Sequence, residues 1–196
     1  MCMQQPARMV RVENGRGTKG MANAFWESTT ERRREHVRDL ARHRLWMGVV
    51  EYARENRDTV FTALAVLTKA RGEIVQLRDF DRVYCRDADR IFRFVAEEST
   101  LPEIGKRAVA DIVLMGDAGG ERVFKGELLS GIAIGARRPE VAGYALEQMA
   151  ALGMKQEIGW VAEASVGMSH TGTGRHAKEL FAKMEASDLH ASGHGC

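Results

Sequence analysis

Proline is scarce in this chain. Three prolines in 196 residues leave long stretches free of the residue that removes a helical donor and clashes with the preceding turn. Cysteine is scarce too, at Cys2, Cys85 and Cys196. Three is odd, and the spacing suits neither a disulfide framework nor a zinc module. A reducing, intracellular setting is therefore expected. No apolar run approaches the ~20 residues of a spanning helix. The opening MCMQQPARMVRVENGRG is too polar for a signal peptide, so any membrane contact is expected to be peripheral.

Alanine, leucine, methionine, glutamate and arginine are plentiful, and all favour helix. With 44% hydrophobic and 29% charged residues, the chain has material for one large core or two small ones. The patterns predict an all-α protein of nine or ten helices in two helical subdomains. An N-terminal arm covers 1–24, a basic helical subdomain 25–98, a second helical subdomain 99–187 and a flexible tail 188–196. Ser28 and Glu31 form a capping-box pattern, opening a helix to about Leu45. GVVEYARENR (48–57) follows. DTVFTALAVLTKA (58–70) is apolar on nearly all sides and so reads as buried, with Gly72 as a stop. FDRVYCRDADRIFRFVAEE gives a helix over about 80–98. TLPE (100–103) starts the next, with proline in its first turn. ERVFKGELLSGIAIGA (121–136), a helix from Pro139 to Gly153, KQEIGWVAEASVGM and RHAKELFAKMEA complete the set. The small residues of LLSGIAIGA and VAGYALEQMAALGM suit close helix packing or a subunit interface.

Little here resembles catalysis. Gly15, Gly17 and Gly20 spell G-x-G-x-x-G, but no βαβ pattern surrounds them, so they read as part of the arm. His190, His194 and Cys196 have ligand-like spacing in a tail with no scaffold to hold a metal. No Ser/His/Asp or Cys/His set has a supporting context, and Cys85 reads as a buried thiol. The expectation is no enzyme, no cofactor and no metal.

Charge is the informative quantity. Net charge is +2, but residues 1–98 hold 19 basic against 15 acidic residues and residues 99–196 hold 10 against 12. TERRREHVRDLARHR (30–44) has six arginines and three acids. Glu31, Glu35 and Asp39 each stand three residues before an arginine (Arg34, Arg38, Arg42), a spacing that attracts on a helix. Val37, Leu40, Ala41 and Leu45 form the inward stripe. Arg32, Arg33 and Arg44 are left without an evident partner, either as solvated charges or as an anion contact. On a single helix over 78–95, at ~100° per residue, Phe80, Tyr84, Ala88, Ile91 and Val95 share one side. Arg78, Arg82, Arg86, Arg90 and Arg93 share the other, three charges in excess of Asp79 and Asp89. Self-repulsion within such a ridge leaves two readings: anion contact, or a plain solvated face. Phe80, Tyr84 and Phe92 read as core rather than as base-stacking platforms, which favours non-specific electrostatics. So small a surplus binds weakly alone and gains through polymerisation.

Three stretches carry a family resemblance. RRPEVAGYALEQMAALGM (137–154) resembles the small-residue-rich central helix of influenza matrix proteins with its preceding turn. RDADRIFRFVAEE (86–98) occupies the place of their basic helix, and TGRHAKELFAKMEAS (173–187) is similar to a C-terminal helix of theirs. The chain thus resembles an orthomyxovirus matrix protein, with a length that suits the isavirus branch. The order of elements corresponds over 25–187, and side-chain matches cover about a quarter of that. The resemblance implies a two-subdomain helical protein that polymerises beneath the viral envelope. It would bind anionic lipid through a basic face, link membrane to ribonucleoprotein and visit the host nucleus. Arg82, Arg86, Arg90 and Arg93 would carry the basic role. Two family features are missing: the compact basic run of the basic helix, and the Cys/Cys/His/His pattern. The alternative expectation is an RNA-associated viral or phage structural protein, such as a small nucleoprotein. The charge asymmetry also suggests head-to-tail self-association.

Overall fold

The computed structural model describes residues 17–80, 82–114, 121–164 and 171–192, with side chains except at 17–27, 77–80, 82–85, 121–123, 171 and 188–192. The described residues form ten α-helices and one 3-10 turn, and no strand, so the all-α expectation is met. The helices are α1 (Gly17–Arg42), α2 (Trp46–Glu55), α3 (Val60–Lys69), α4 (Arg71–Phe80) and α5 (Arg82–Glu98). Then come α6 (Pro102–Leu114), α7 (Glu121–Gly135), α8 (Pro139–Ala151), α9 (Lys155–Ala164) and α10 (Thr171–Ser192), with the 3-10 turn at Arg57–Thr59.

Helix ends follow local chemistry. α6 and α8 open on Pro102 and Pro139, followed by Glu103 and Glu140, placing negative charge at the positive end of the helix dipole. Before α6 the Ser99 hydroxyl donates to Leu101 O and accepts from Leu101 N–H, so Ser99 organises this turn. α8 ends on Gly153 at φ 67°. There Met154 N–H reaches Met149 O and Gly153 N–H reaches Ala150 O, the paired closure of a Schellman cap. α1 ends the same way, with Leu45 N–H on Leu40 O and Arg44 N–H on Ala41 O. Here the left-handed residue is Arg44 at φ 59°.

Several expectations are corrected. α1 begins at Gly17, so part of the expected arm is helix, and Ser28 lies within that helix rather than at its start. α10 continues to Ser192, into the expected tail. Leu45 is 54% exposed because it lies beyond the α1 cap. The apolar α3 is not buried all round: Val60, Ala63 and Leu67 face the core, but Phe61 is 65% exposed. Gly72 lies inside α4 rather than stopping a helix.

The single helix expected over 78–95 is two helices, α4 and α5. Ile74 of α4 lines the same cavity as Ala88 and Ile91 of α5. On one straight helix Ile74 and Ile91 would stand ~25 Å apart. Folding back brings both to the core. α5 is its central element: Ile91, Phe92, Phe94, Val95 and Ala96 are all buried.

The expected subdomain boundary at Ser99-Thr100 falls in the turn between α5 and α6. The core does not divide there. One connected apolar cluster runs from Val37 through Ile91 and Leu129 to Ala177. Small residues admit close packing, as their abundance suggested. A Cβ at Gly105 of α6 would stand 2.6 Å from Val141 of α8, and one at Gly126 of α7 would stand 2.8 Å from Glu157 of α9. Met149 and Met154 are buried as gap-fillers. The segments 1–16, 115–120 and 165–170 lie outside the described residues. They contain Cys2, Gly15, Met168 and His170. His194, Cys196 and the side chains of Phe80, Tyr84, Cys85 and His190 lie outside them as well.

Candidate functional site

α3 with the first residue of α4 forms one wall of a groove, α6 the other, and α5 the floor. Arg71 on one wall meets Asp111, forty positions on, across the groove. At one end Phe61 and Leu64 line a cavity of about 380 Å3 with Leu101 and Ile104. It adjoins a second cavity of about 290 Å3, floored by Ile91, Phe92 and Val95. Thr68 and Ile104 line both cavities, so the two lie side by side along the groove. Each volume is near or within the ~300–1,000 Å3 range of small-molecule pockets.

Its far end is closed by charge. Arg71 donates through Nε to Asp111 Oδ2 at 2.7 Å and through Nη2 to Asp111 Oδ1. Asp111 is buried, so its carboxylate depends on this two-pronged partner. The hydrogen bonds to Asp111, outweighing partial burial, raise the Arg71 guanidinium above its ordinary value. Along the rim Glu103 faces Lys106 at 3.9 Å. Arg107 lines the inner cavity and Lys69 the outer one. Both are exposed and neither has an acid at ion-pair distance among the described residues. Phe61 and Leu101, at 65% and 58% exposure, complete an apolar mouth with two free cations.

None of these groove residues was singled out by the sequence as a contact residue; the floor residues Ile91, Phe92 and Val95 were read as core. The available signal was α3 itself, which has more apolar faces than a core can cover. The arginines that were singled out are distributed otherwise. Arg78 sits on α4 and Arg82 opens α5, with side chains outside the described residues. Arg86 stacks on the Phe124 ring at 5.7 Å. Arg93 donates through Nε to Glu97 Oε1 at 2.6 Å and lies across Gly131, where a Cβ would stand 2.6 Å from its Cζ. Glu97 in turn lies on Gly135. These three contacts share one offset of thirty-eight, so α7 runs parallel to α5 and reaches Arg86 and Arg93 of the expected ridge. Arg86 and Arg90 are both exposed, and neither has an acid at ion-pair distance among the described residues.

On α1 the expected pairs form, with Arg34–Glu31 at 3.5 Å, Arg38–Glu35 at 2.9 Å and Arg42–Asp39 at 3.7 Å. Arg38 also reaches Glu31 at 2.8 Å, and Arg42 reaches Glu35 at 2.7 Å. Two arginines expected to lack partners have them: Arg33 pairs with Asp58 at 3.5 Å and Arg44 with Glu73 at 3.4 Å. Both acids come from other elements. Arg32 remains exposed and unpaired among the described residues. At the groove, Lys69 and Arg107 are the cations without an acid partner among the described residues. No protein-family model matches this chain, and no curated protein or solved structure matches it.

Proposed function

We propose that this protein is a structural protein of matrix type. It binds an anionic membrane from one side, associates with copies of itself into a layer, and connects that layer to ribonucleoprotein. It catalyses no reaction. The observation that carries the reading is the groove, where exposed Phe61, Leu101 and Lys69 line the outer cavity and Arg107 the inner one, neither cation with an acid partner among the described residues. Apolar side chains that enter the headgroup boundary, flanked by cations that attract anionic lipid, are the chemistry of a peripheral membrane contact. Each cation near such a surface adds ~1 kcal/mol, lost with salt. Among the described residues no helix is long and apolar enough to cross a membrane. The resemblance to orthomyxovirus matrix proteins supports the same reading, with a place beneath the envelope, at the cytoplasmic face of the host membrane and in the host nucleus. Arg32 and Arg90 are secondary contributors.

Flotation with phosphatidylserine vesicles tests it. The wild-type chain is expected to float at low salt, less at high salt, and not with neutral phosphatidylcholine vesicles. Phe61→Glu with Leu101→Glu abolishes flotation, whereas Arg90→Glu weakens it a few-fold. Equal binding to neutral vesicles, or undiminished flotation of the double variant, overturns the proposal. A stable complex with single-stranded RNA that excludes vesicles would replace it with the nucleoprotein reading.

A further inference from the structure

We infer that the groove between α3 and α6 seats one hydrocarbon chain of a single-chain amphiphile with an anionic head, such as a fatty acid. The inference deepens the membrane reading, because it assigns the groove an occupant of its own beyond a surface contact. The inner floor of Ile91, Phe92 and Val95 offers no hydrogen-bonding side chain. A chain lying there displaces only poorly held water from apolar walls. Thr68 and Ile104 border both this cavity and the outer one with Phe61 and Leu101, so an occupant that spans the two has length rather than breadth. That shape favours a chain over a ring.

The sign of the head follows from the charges on the walls. Arg71 and Asp111 satisfy each other at the closed end, so neither is available without breaking a buried pair. Glu103 faces Lys106. Arg107 remains, a guanidinium with fork geometry suited to a carboxylate or phosphate. It lies on the rim of the inner cavity, so the head sits at Arg107 while the chain runs along the floor and outward past Thr68.

The test is titration calorimetry of the full chain with laurate below its micellar concentration, beside dodecanol and dodecyltrimethylammonium. One laurate is expected to bind per chain, at least fivefold more tightly than dodecanol, with the cation weakest. Thr68→Trp fills the junction of the two cavities from an exposed position and is expected to weaken laurate at least tenfold. Arg107→Gln is expected to bring laurate to the level of dodecanol and to leave dodecanol unchanged. No binding of laurate, equal binding of the cationic amphiphile, or an unaffected Thr68→Trp overturns the inference. The three-ligand comparison on the wild-type chain decides even if a variant fails to fold. Flotation that persists while laurate fails to bind rejects the seat and keeps the membrane contact. Laurate binding without flotation does the reverse.

Discussion

Arg38 accepts the attention of two carboxylates, Glu31 and Glu35, and Glu35 is shared onward with Arg42. Hydrogen bonding from Arg38 holds the Glu31 carboxyl below its ordinary range, and hydrogen bonds from Arg38 and Arg42 do the same for Glu35. A carboxyl depressed in the folded state contributes stability above its unfolded value, and that contribution is lost as pH falls through the folded value. The expected outcome is a weakening of α1 at acid pH, beginning as pH falls through the ordinary glutamate range and complete below the depressed folded values. Carbon-detected NMR titration of the two carboxyls checks it, with Arg38→Gln returning both toward ordinary values. Titration of Glu31 at its unperturbed value in the wild-type chain would contradict the network. The pairs one turn apart, Glu31–Arg34, Glu35–Arg38 and Asp39–Arg42, were legible from their spacing; the two-turn contacts Glu31–Arg38 and Glu35–Arg42 were not. The partners of Arg33 and Arg44 were not, since Asp58 and Glu73 arrive from the 3-10 turn and from α4. No spacing along α1 encodes them.

Helices punctuated by proline or glycine were read nearly to their ends, as α6 and α8 show. The break between α4 and α5 was not, because the sequence from Arg78 to Arg82 contains neither residue. There the fold is set by the burial of Ile74 against Ala88 and Ile91, a tertiary gain that outweighs continuous local helix. The glycine pattern of the packed helices makes a second test. Gly143 of α8 has nothing within 4 Å of an added Cβ, while at Gly105 that Cβ meets the branched Val141 side chain at 2.6 and 3.1 Å. Removing a helical glycine gains ~1 kcal/mol, and overpacking costs ~1–3 kcal/mol. Gly143→Ala is therefore expected to stabilise by about 1 kcal/mol, and Gly105→Ala to destabilise by a similar amount. Urea denaturation separates the two. A Gly105→Ala variant as stable as Gly143→Ala would show that α6 and α8 do not hold this approach.

Charge divides the sequence near residue 98, but packing does not divide the molecule there. Glu98 is held by Arg57 at 2.5 Å and by Arg137 at 2.8 Å, and Arg137 N–H also binds Glu97 O. Arg71 and Asp111 make a second tie between the halves. One core with such ties is expected to unfold in a single transition. Fluorescence of Trp46 and Trp160, one in each half, followed in single-tryptophan variants against urea, checks this. Two separated midpoints would restore two independent units. The all-helical class was legible from composition and periodicity. The groove was not, because it depends on two walls meeting forty positions apart, a relation no local pattern contains.

The shared offset of α5 and α7 has a mechanical consequence. Arg86 on Phe124, Arg93 on Gly131 and Glu97 on Gly135 act as teeth in a rack. A slip of one turn would take Arg86 off Phe124 and leave only one of Arg93 and Glu97 over a glycine, because the two glycines are themselves one turn apart. That register resists shear between the two helices, which act as one bar. The groove opens on the other side of that bar.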